Sequence, residues 1–396
     1  MLPLELHQPA ANPAKKTRVL SLYYLLFFSA FGAMAPLLPL FLKEEGLSGT
    51  QTGLIVAVGP VMTVLFQPVW GMLCDRFNAQ RTVLMITLSL AAVLSALYPL
   101  AGGFLLFFLL FAGMSMFHSS GVPIVDSIAL NYVHQHGGDY GSLRLWGAIG
   151  FAAASWAAGR LAEGVGLSVI FWFYAAAYVL CVLLTPKLPR ESNRMGSVDL
   201  RKGLKVLLGH PRFLLFCLAT FLIFGTIQAN NSYYGIFFTE IGGTVAGVGL
   251  SFLIAAGSEA PVMRLAGPLV RRFGLLPMLV IAGLISSLRW IFYGTEPSST
   301  LVLSLLFVQG LSVGLYIPAA AQYVREIAPE GIKVTALGIY SAIGNGLGSM
   351  AGTMVGGYLL DRAGIFQTYT FFGIASLVGV GAILVLMLMN KKRPSL

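Results

Sequence analysis

Charge is scarce in this chain. Of its 396 residues only 10% are Asp, Glu, Lys or Arg, against 57% hydrophobic, and the mean hydropathy is +0.82. That excludes a water-soluble globular domain, whose surface needs far more polar side chains. Cysteine is nearly absent. Cys74, Cys181 and Cys217 are odd in number and have no paired spacing, so they build neither a disulfide framework nor a metal site. No His-Glu-x-x-His, phosphate-binding loop or nucleophile elbow occurs. No catalytic residue, metal or cofactor is therefore expected, and the chain does not read as an enzyme.

What fills the sequence instead is apolar runs of about 20 residues, the length a helix needs to cross a bilayer. Twelve candidate spans stand at roughly 19–42, 51–73, 82–100, 103–133, 141–163, 166–185, 212–238, 246–270, 276–294, 300–324, 332–360 and 366–389. The one long polar connection runs from Pro186 to Pro211. The expected fold is an all-α membrane protein of twelve transmembrane helices. It divides into a six-helix half (1–185), a cytoplasmic central loop (186–211) and a second six-helix half (212–396). The first span lacks a small-residue cleavage site and is expected to stay in place.

The excess of base over acid, 25 against 15, reports orientation. Nineteen Lys and Arg lie in the tails or the even-numbered connections, among them Arg76, Arg81, Arg271 and Arg272. Three lie on the other side, Lys43, Arg160 and Arg362. The positive-inside rule then places both termini in the cytoplasm, in a multi-pass cytoplasmic (inner) membrane protein. Spread over short loops, this charge is no nucleic-acid surface. The expected partners are the lipid bilayer, protons and a small-molecule substrate, with the protein a monomer.

The two halves resemble each other at an offset near 197. "GMLCDRF" from Gly71 returns as "GPLVRRF" from Gly267, "GRLAEGVG" from Gly159 as "GYLLDRAG" from Gly357, and Phe31–Gly32 as Phe224–Gly225. Two halves that start on the same side form a parallel repeat, an arrangement used for rocking around a central site.

"GMLCDRFNAQR", Gly71 to Arg81, resembles the loop between helices two and three of the major facilitator superfamily. "DYGSLRLWGAIGF", Asp139 to Phe151, is similar to helix five of the branch that holds the lactose permease, the nucleoside–proton symporters and the phenylpropionate permeases. "PIVDSIA", Pro123 to Ala129, resembles helix four of the phenylpropionate type. The resemblance implies a secondary active transporter working by alternating access. It also implies gating by Gly71, Asp75, Arg76 and Arg81, with Asp75 a latch across the seam between halves. In the second half Arg271 stands where the acid would be. Gly344, Gly348, Gly352 and Gly356 form a smooth face of helix eleven, with Gly348 expected at that moving seam.

Charged side chains inside the spans are costly, on the order of 2.5–3.5 kcal/mol each at the helix centre, and so point to a site. Asp126 and Arg144 lie equally far from the turn at 135, where a hairpin sets them at one depth and able to pair. Alternatively Arg144 snorkels to the headgroups while Asp126 caps a loop. Glu259 and Arg289 repeat the device about Gly274, nearer the membrane centre, with Arg264 a competitor for the same carboxylate. In the lactose permease branch the matching helix-four acid and helix-five arginine contact substrate, and the helix-eight acid and helix-nine arginine serve substrate binding and proton transfer. That implies substrate binding by Asp126, Arg144 and Arg289 and proton coupling by Glu259; the residues themselves add Arg264, which could instead bind an anionic substrate, and Asp126 as a second protonatable group at depth. The departures are Gln309 and Ser312 where that branch has a helix-ten histidine and glutamate, and Phe151 where it has a sugar-stacking tryptophan.

Helix seven carries "TIQANNSYYG", whose Gln228, Asn230, Asn231 and Tyr234 suit a substrate that is part apolar and part hydrogen-bonding, or else hold helices together. His118 and Gln67 are weaker candidates, more often packing. The reading is a proton-coupled symporter of a small organic solute: an aromatic carboxylate, a nucleoside or a small saccharide. A proton-driven efflux pump for amphipathic compounds shares every feature, and a transport-dead solute receptor keeps the same charged helices.

Overall fold

The structure is a computed structural model that describes residues 13–137, 139–189, 207, 209–328 and 333–391, without the side chains of 13–15, 75, 333–335 and 391. The Asp75 side chain, most of the central connection and both extreme tails thus lie outside the described residues. Among the described residues sixteen α-helices succeed one another: α1 Pro13–Met34, α2 Leu38–Glu44, α3 Gly49–Phe77, α4 Gln80–Leu97, α5 Phe104–His118, α6 Gly121–His136, α7 Tyr140–Val165, α8 Val169–Leu184, α9 Pro211–Glu240, α10 Val245–Phe273, α11 Leu275–Tyr293, α12 Ser299–Ser304, α13 Val308–Ile327, α14 Lys333–Ser341, α15 Ser349–Ala363 and α16 Ile365–Lys391. A π-helical stretch, Ala342–Gly348, joins α14 to α15. No strand occurs among the described residues.

Nine helical stretches among the described residues are long and apolar enough to cross a membrane. They match nine of the expected spans. The other three, 141–163, 300–324 (broken at 305–307) and the described 333–360, are built of helix too, and carry Arg144, Gln309 and Asn345. Large apolar side chains such as Leu109, Leu183, Leu288 and Leu388 stand more than half exposed around the outside, as a lipid-facing surface requires. The protein is a multi-pass membrane protein.

Four spans are broken: α1/α2 at Ala35–Leu37, α5/α6 at Ser119–Ser120, α12/α13 at Leu305–Phe307, and α14/α15 at the π-helical stretch. Unpaired backbone at membrane depth survives only where it is buried in protein or lines a cavity. Two of the breaks line a central cavity, at Ala35–Pro36 and at the π-helical stretch, and the α5/α6 break directly follows its lining residue His118.

α1 packs on α7, α11 on α16, α3 on α15 and α7 on α10. Between membrane helices small residues replace the hydrophobic effect as the means of close approach. A Cβ on Gly150 would stand 2.2 Å from the Leu25 carbonyl oxygen, and one on Gly32 2.3 Å from that of Phe151, so α1 and α7 meet backbone to backbone.

The glycine face of helix eleven packs differently from expectation. Gly344 faces Thr220 and Phe224, Gly348 and Gly352 face Gly225, and Gly356 faces Tyr233. All of these partners belong to α9, so the face lies against a neighbour in the same part of the chain and away from α1–α8. Gly348→Leu should therefore lower folded yield, since its Cβ would stand 3.1 Å from the Gly225 Cα. Val355→Leu, at an exposed position, should be tolerated. Yield by size-exclusion chromatography of the two variants checks this.

Candidate functional site

A cavity of about 540 Å³ sits between α1, α3, α5 and α7 on one side and α9, α10 and the α14–π segment on the other. Its polar lining is amide, hydroxyl and imidazole: Gln228, Asn231 and Ser232 of α9, Ser341 and Asn345 of the α14–π segment, Ser349 of α15, Thr63 and Gln67 of α3, Ser115 and His118 of α5. Among the described residues no Asp, Glu, Lys or Arg lines it.

The amides form a chain. Asn231 Nδ2 donates to Gln228 Oε1 at 3.3 Å, Gln228 Nε2 to Asn345 Oδ1 at 3.4 Å, and Asn345 Nδ2 to Ser341 Oγ at 3.1 Å. Asn345, in the π-helical stretch and one residue past Gly344, lines the cavity while the glycines face α9. Opposite lies an aromatic wall. Phe31 and Phe151 have ring centroids 6.1 Å apart, and Phe151 meets Phe252 edge to face at 6.2 Å. His118 stacks between Phe27 and Phe31, at 5.3 and 5.2 Å, and its Nδ1 is hydrogen-bonded to the Tyr178 hydroxyl.

Of the substrate-binding candidates, Phe151, Gln228 and Asn231 line this cavity. The others do not. Asn230 is buried and accepts from the Tyr369 hydroxyl at 2.9 Å, while Tyr234 donates to Ser251 Oγ at 2.8 Å. Arg264 is exposed and Arg289 is buried. Arg144 and Asp126 do not form the expected ion pair, because α1 inserts an aromatic face beside them. Tyr24 donates to Asp126 Oδ1 at 2.6 Å, and the Arg144 guanidinium lies over the rings of Phe28 at 4.1 Å and Tyr24 at 5.8 Å. Cation–π attraction, about 0.5–2 kcal/mol, thus takes the place of the expected pair.

Glu259 and Arg289 come together through a third residue. Arg289 Nη1 donates to Gln309 Oε1 at 2.9 Å, and Gln309 Nε2 donates to Glu259 Oε1 at 3.3 Å. The amide of Gln309 faces base with its oxygen and acid with its nitrogen, as its two ends allow. Arg289 also lies 4.2 Å over the Trp290 ring, and its Nε and Nη2 are buried without a partner. Phe252 touches both the cavity and the small space around Tyr234 and Gln309, so one ring separates this relay from the cavity.

The sequence reading missed Asn345, Ser341, Thr63 and Ser115, and ranked His118 and Gln67 low. Asn345 alone carried a signal, a lone amide inside the Gly-rich run "SAIGNGLGS".

With the start of α1 and the end of α16 at the near end of the bundle, α3 starts and α15 finishes at the far end. Among the described residues, the hydrogen bonds and ion pairs that join α1–α8 to α9–α16 all lie there. At the near end, a Cβ on Gly71 or Gly338 would meet open space, and Arg76 is exposed over the Phe77 ring. Arg81 is half-buried.

The sequence matches the MFS_1 like family over residues 17–371. The chain belongs to that family. It is 45% identical over 380 residues to the maltose permease of Geobacillus stearothermophilus, covering 96% of this chain and 95% of the permease. It is 26% identical over 379 residues to the probable 3-phenylpropionic acid transporter of Escherichia coli (strain K12), covering 93% and 96%. The crystal structure of the nucleoside transporter NupG shares its fold, with a TM-score of 0.83 at 18% identity over 94% of this chain and 98% of that one. This MFS_1 like protein is a membrane transporter and not an enzyme, as the major facilitator motifs at Gly71–Arg81 and Asp139–Phe151 implied.

Proposed function

We propose that this protein is a proton-coupled permease for a neutral saccharide of disaccharide size, working by alternating access. The observation that carries the reading is the lining of the cavity, which among the described residues holds no Asp, Glu, Lys or Arg. Amides and hydroxyls offer donors and acceptors to sugar hydroxyls, and the Phe31–Phe151–Phe252 wall offers apolar surface to the ring faces. A carboxylate substrate would find no Lys or Arg there, which counts against the aromatic acid. A volume near 540 Å³ falls within the roughly 300–1,000 Å³ of small-molecule sites. The 45% identity to a maltose permease supports the same class.

The halves 1–185 and 212–396 would rock about this cavity, joined by 186–211. With the termini cytoplasmic, the near end opens inward. Protons would travel by Glu259, held to Arg289 only through a neutral amide, with Asp126 the second candidate. Phe252, which faces both compartments, is the ring through which substrate occupancy would be felt at Gln309.

Purified protein should gain thermal stability with maltose and none with phenylpropionate, and proteoliposomes should take up labelled maltose. Stabilisation by phenylpropionate alone, or by a nucleoside alone, would reject the saccharide reading.

A further inference from the structure

The far end is closed by one contact made twice. In the first copy α3 meets α15. A Cβ on Gly357 would stand 2.2 Å from the Gly49 carbonyl oxygen, and one on Gly53 2.6 Å from that of Thr353. In the second α10 meets α7. A Cβ on Gly159 would stand 2.8 Å from the Val245 carbonyl oxygen, and one on Gly249 2.2 Å from that of Ser155. The positions correspond through the internal repeat: Gly49 to Val245 and Gly53 to Gly249 are 196 residues apart, and Ser155 to Thr353 and Gly159 to Gly357 are 198 apart.

Each copy ends in an acid. One helical turn past Gly357 and Gly159 stand Asp361 and Glu163. Asp361 Oδ1 accepts from the Gly49 N–H at 2.6 Å, and its Oδ2 accepts from the Thr50 N–H at 2.8 Å and from the Thr50 hydroxyl. Glu163 Oε1 accepts from the Ala246 N–H at 2.9 Å, while its Oε2 holds Arg160 at 3.2 Å.

The first N–H groups of a helix have no partner within it. The local caps Ser48 and Thr244 reach only the third, accepting from Gln51 N–H at 3.2 Å and Gly247 N–H at 3.0 Å. Donors nearer the helix start are left to an acid from the other half of the chain. We propose that Glu163 and Asp361 are the two pins of a far-side gate, each capping the start of a helix in the opposite half and withdrawn from it when that side opens.

The helix dipole favours a negative charge at both places. Burial opposes the charge of Asp361, but the hydrogen bonds from Thr50 and Gly49 outweigh it and hold the carboxyl below the ordinary aspartate range. This pin is therefore charged at neutral pH. The nearby Lys43–Glu240 pair at 3.2 Å is about half exposed at each partner and adds little. The inference rests on alternating access but not on the saccharide.

The test uses Thr63→Cys, in the cavity, as a reporter in a chain whose native cysteines are changed to alanine. Labelling by a membrane-impermeant maleimide is followed in intact cells and in inverted vesicles. A cap is worth about a factor of five in an equilibrium, and two multiply to roughly 25. Glu163→Ala/Asp361→Ala, which removes both acceptors, should raise labelling from the far side about that much and lower it from the near side. Each single variant, which keeps one pin, should raise it about fivefold and serves if the double variant fails to reach the membrane. Rates equal to the parent, or a rise from both sides at once, would overturn the proposal. If the parent itself labels from one side only, with or without maltose, alternating access has failed, which is a different result from pins misassigned.

Discussion

Replacing Glu259 with Gln should abolish uphill accumulation while leaving exchange of labelled for unlabelled saccharide intact. One proton moving through 100 mV supplies about 2.3 kcal/mol, enough for a roughly fifty-fold gradient. Without a titrating carboxyl at the coupling site that ratio should fall to about one. Exchange survives because it needs no net proton movement. The structure makes the substitution mild: Gln309 Nε2 donates to Glu259 Oε1 at 3.3 Å, and a glutamine carbonyl accepts there equally well. Counterflow and accumulation measured on one set of proteoliposomes separate the two outcomes. Continued accumulation would move the proton to Asp126, whose present partner is the Tyr24 hydroxyl.

The second large effect is expected at Gln228. It sits mid-chain between Asn231 and Asn345, so Gln228→Leu removes one group and leaves two amides without their partner. An unpaired polar group where a sugar hydroxyl must bind costs about 1–3 kcal/mol, so the half-saturating concentration should rise roughly ten- to a hundred-fold. Arg264→Gln, at an exposed position away from the cavity, should leave it unchanged. Equal effects at both positions would mean that the solute binds near α10 and outside this cavity.

Much of the architecture was legible in the order of residues. Long apolar runs can only be helices in lipid, since no water is present to satisfy the backbone, and the family showed in Gly71–Arg81 and Asp139–Phe151. The pairing of Glu259 with Arg289 was also readable in outline, because equal distance from a turn fixes equal depth. The repeat even aligned Glu163 with Asp361, although no pattern of residues assigned those acids a partner.

Depth does not fix direction. Whether Arg144 meets Asp126 or an aromatic ring depends on how α7 is rotated against α1, and that rotation is set by Gly32 and Gly150 bringing the two backbones together. Gln309, read as the loss of a titrating residue, became a bridge because α13 places its amide between an acid and a base. Asn345 was hidden by the glycine periodicity around it. Residue order alone was enough for a helical membrane transporter. It took the packed helices to put the charges outside the cavity and the amides inside. Membrane helices are positioned by the close fit of small residues and breaks, and that fit exists only between helices already assembled.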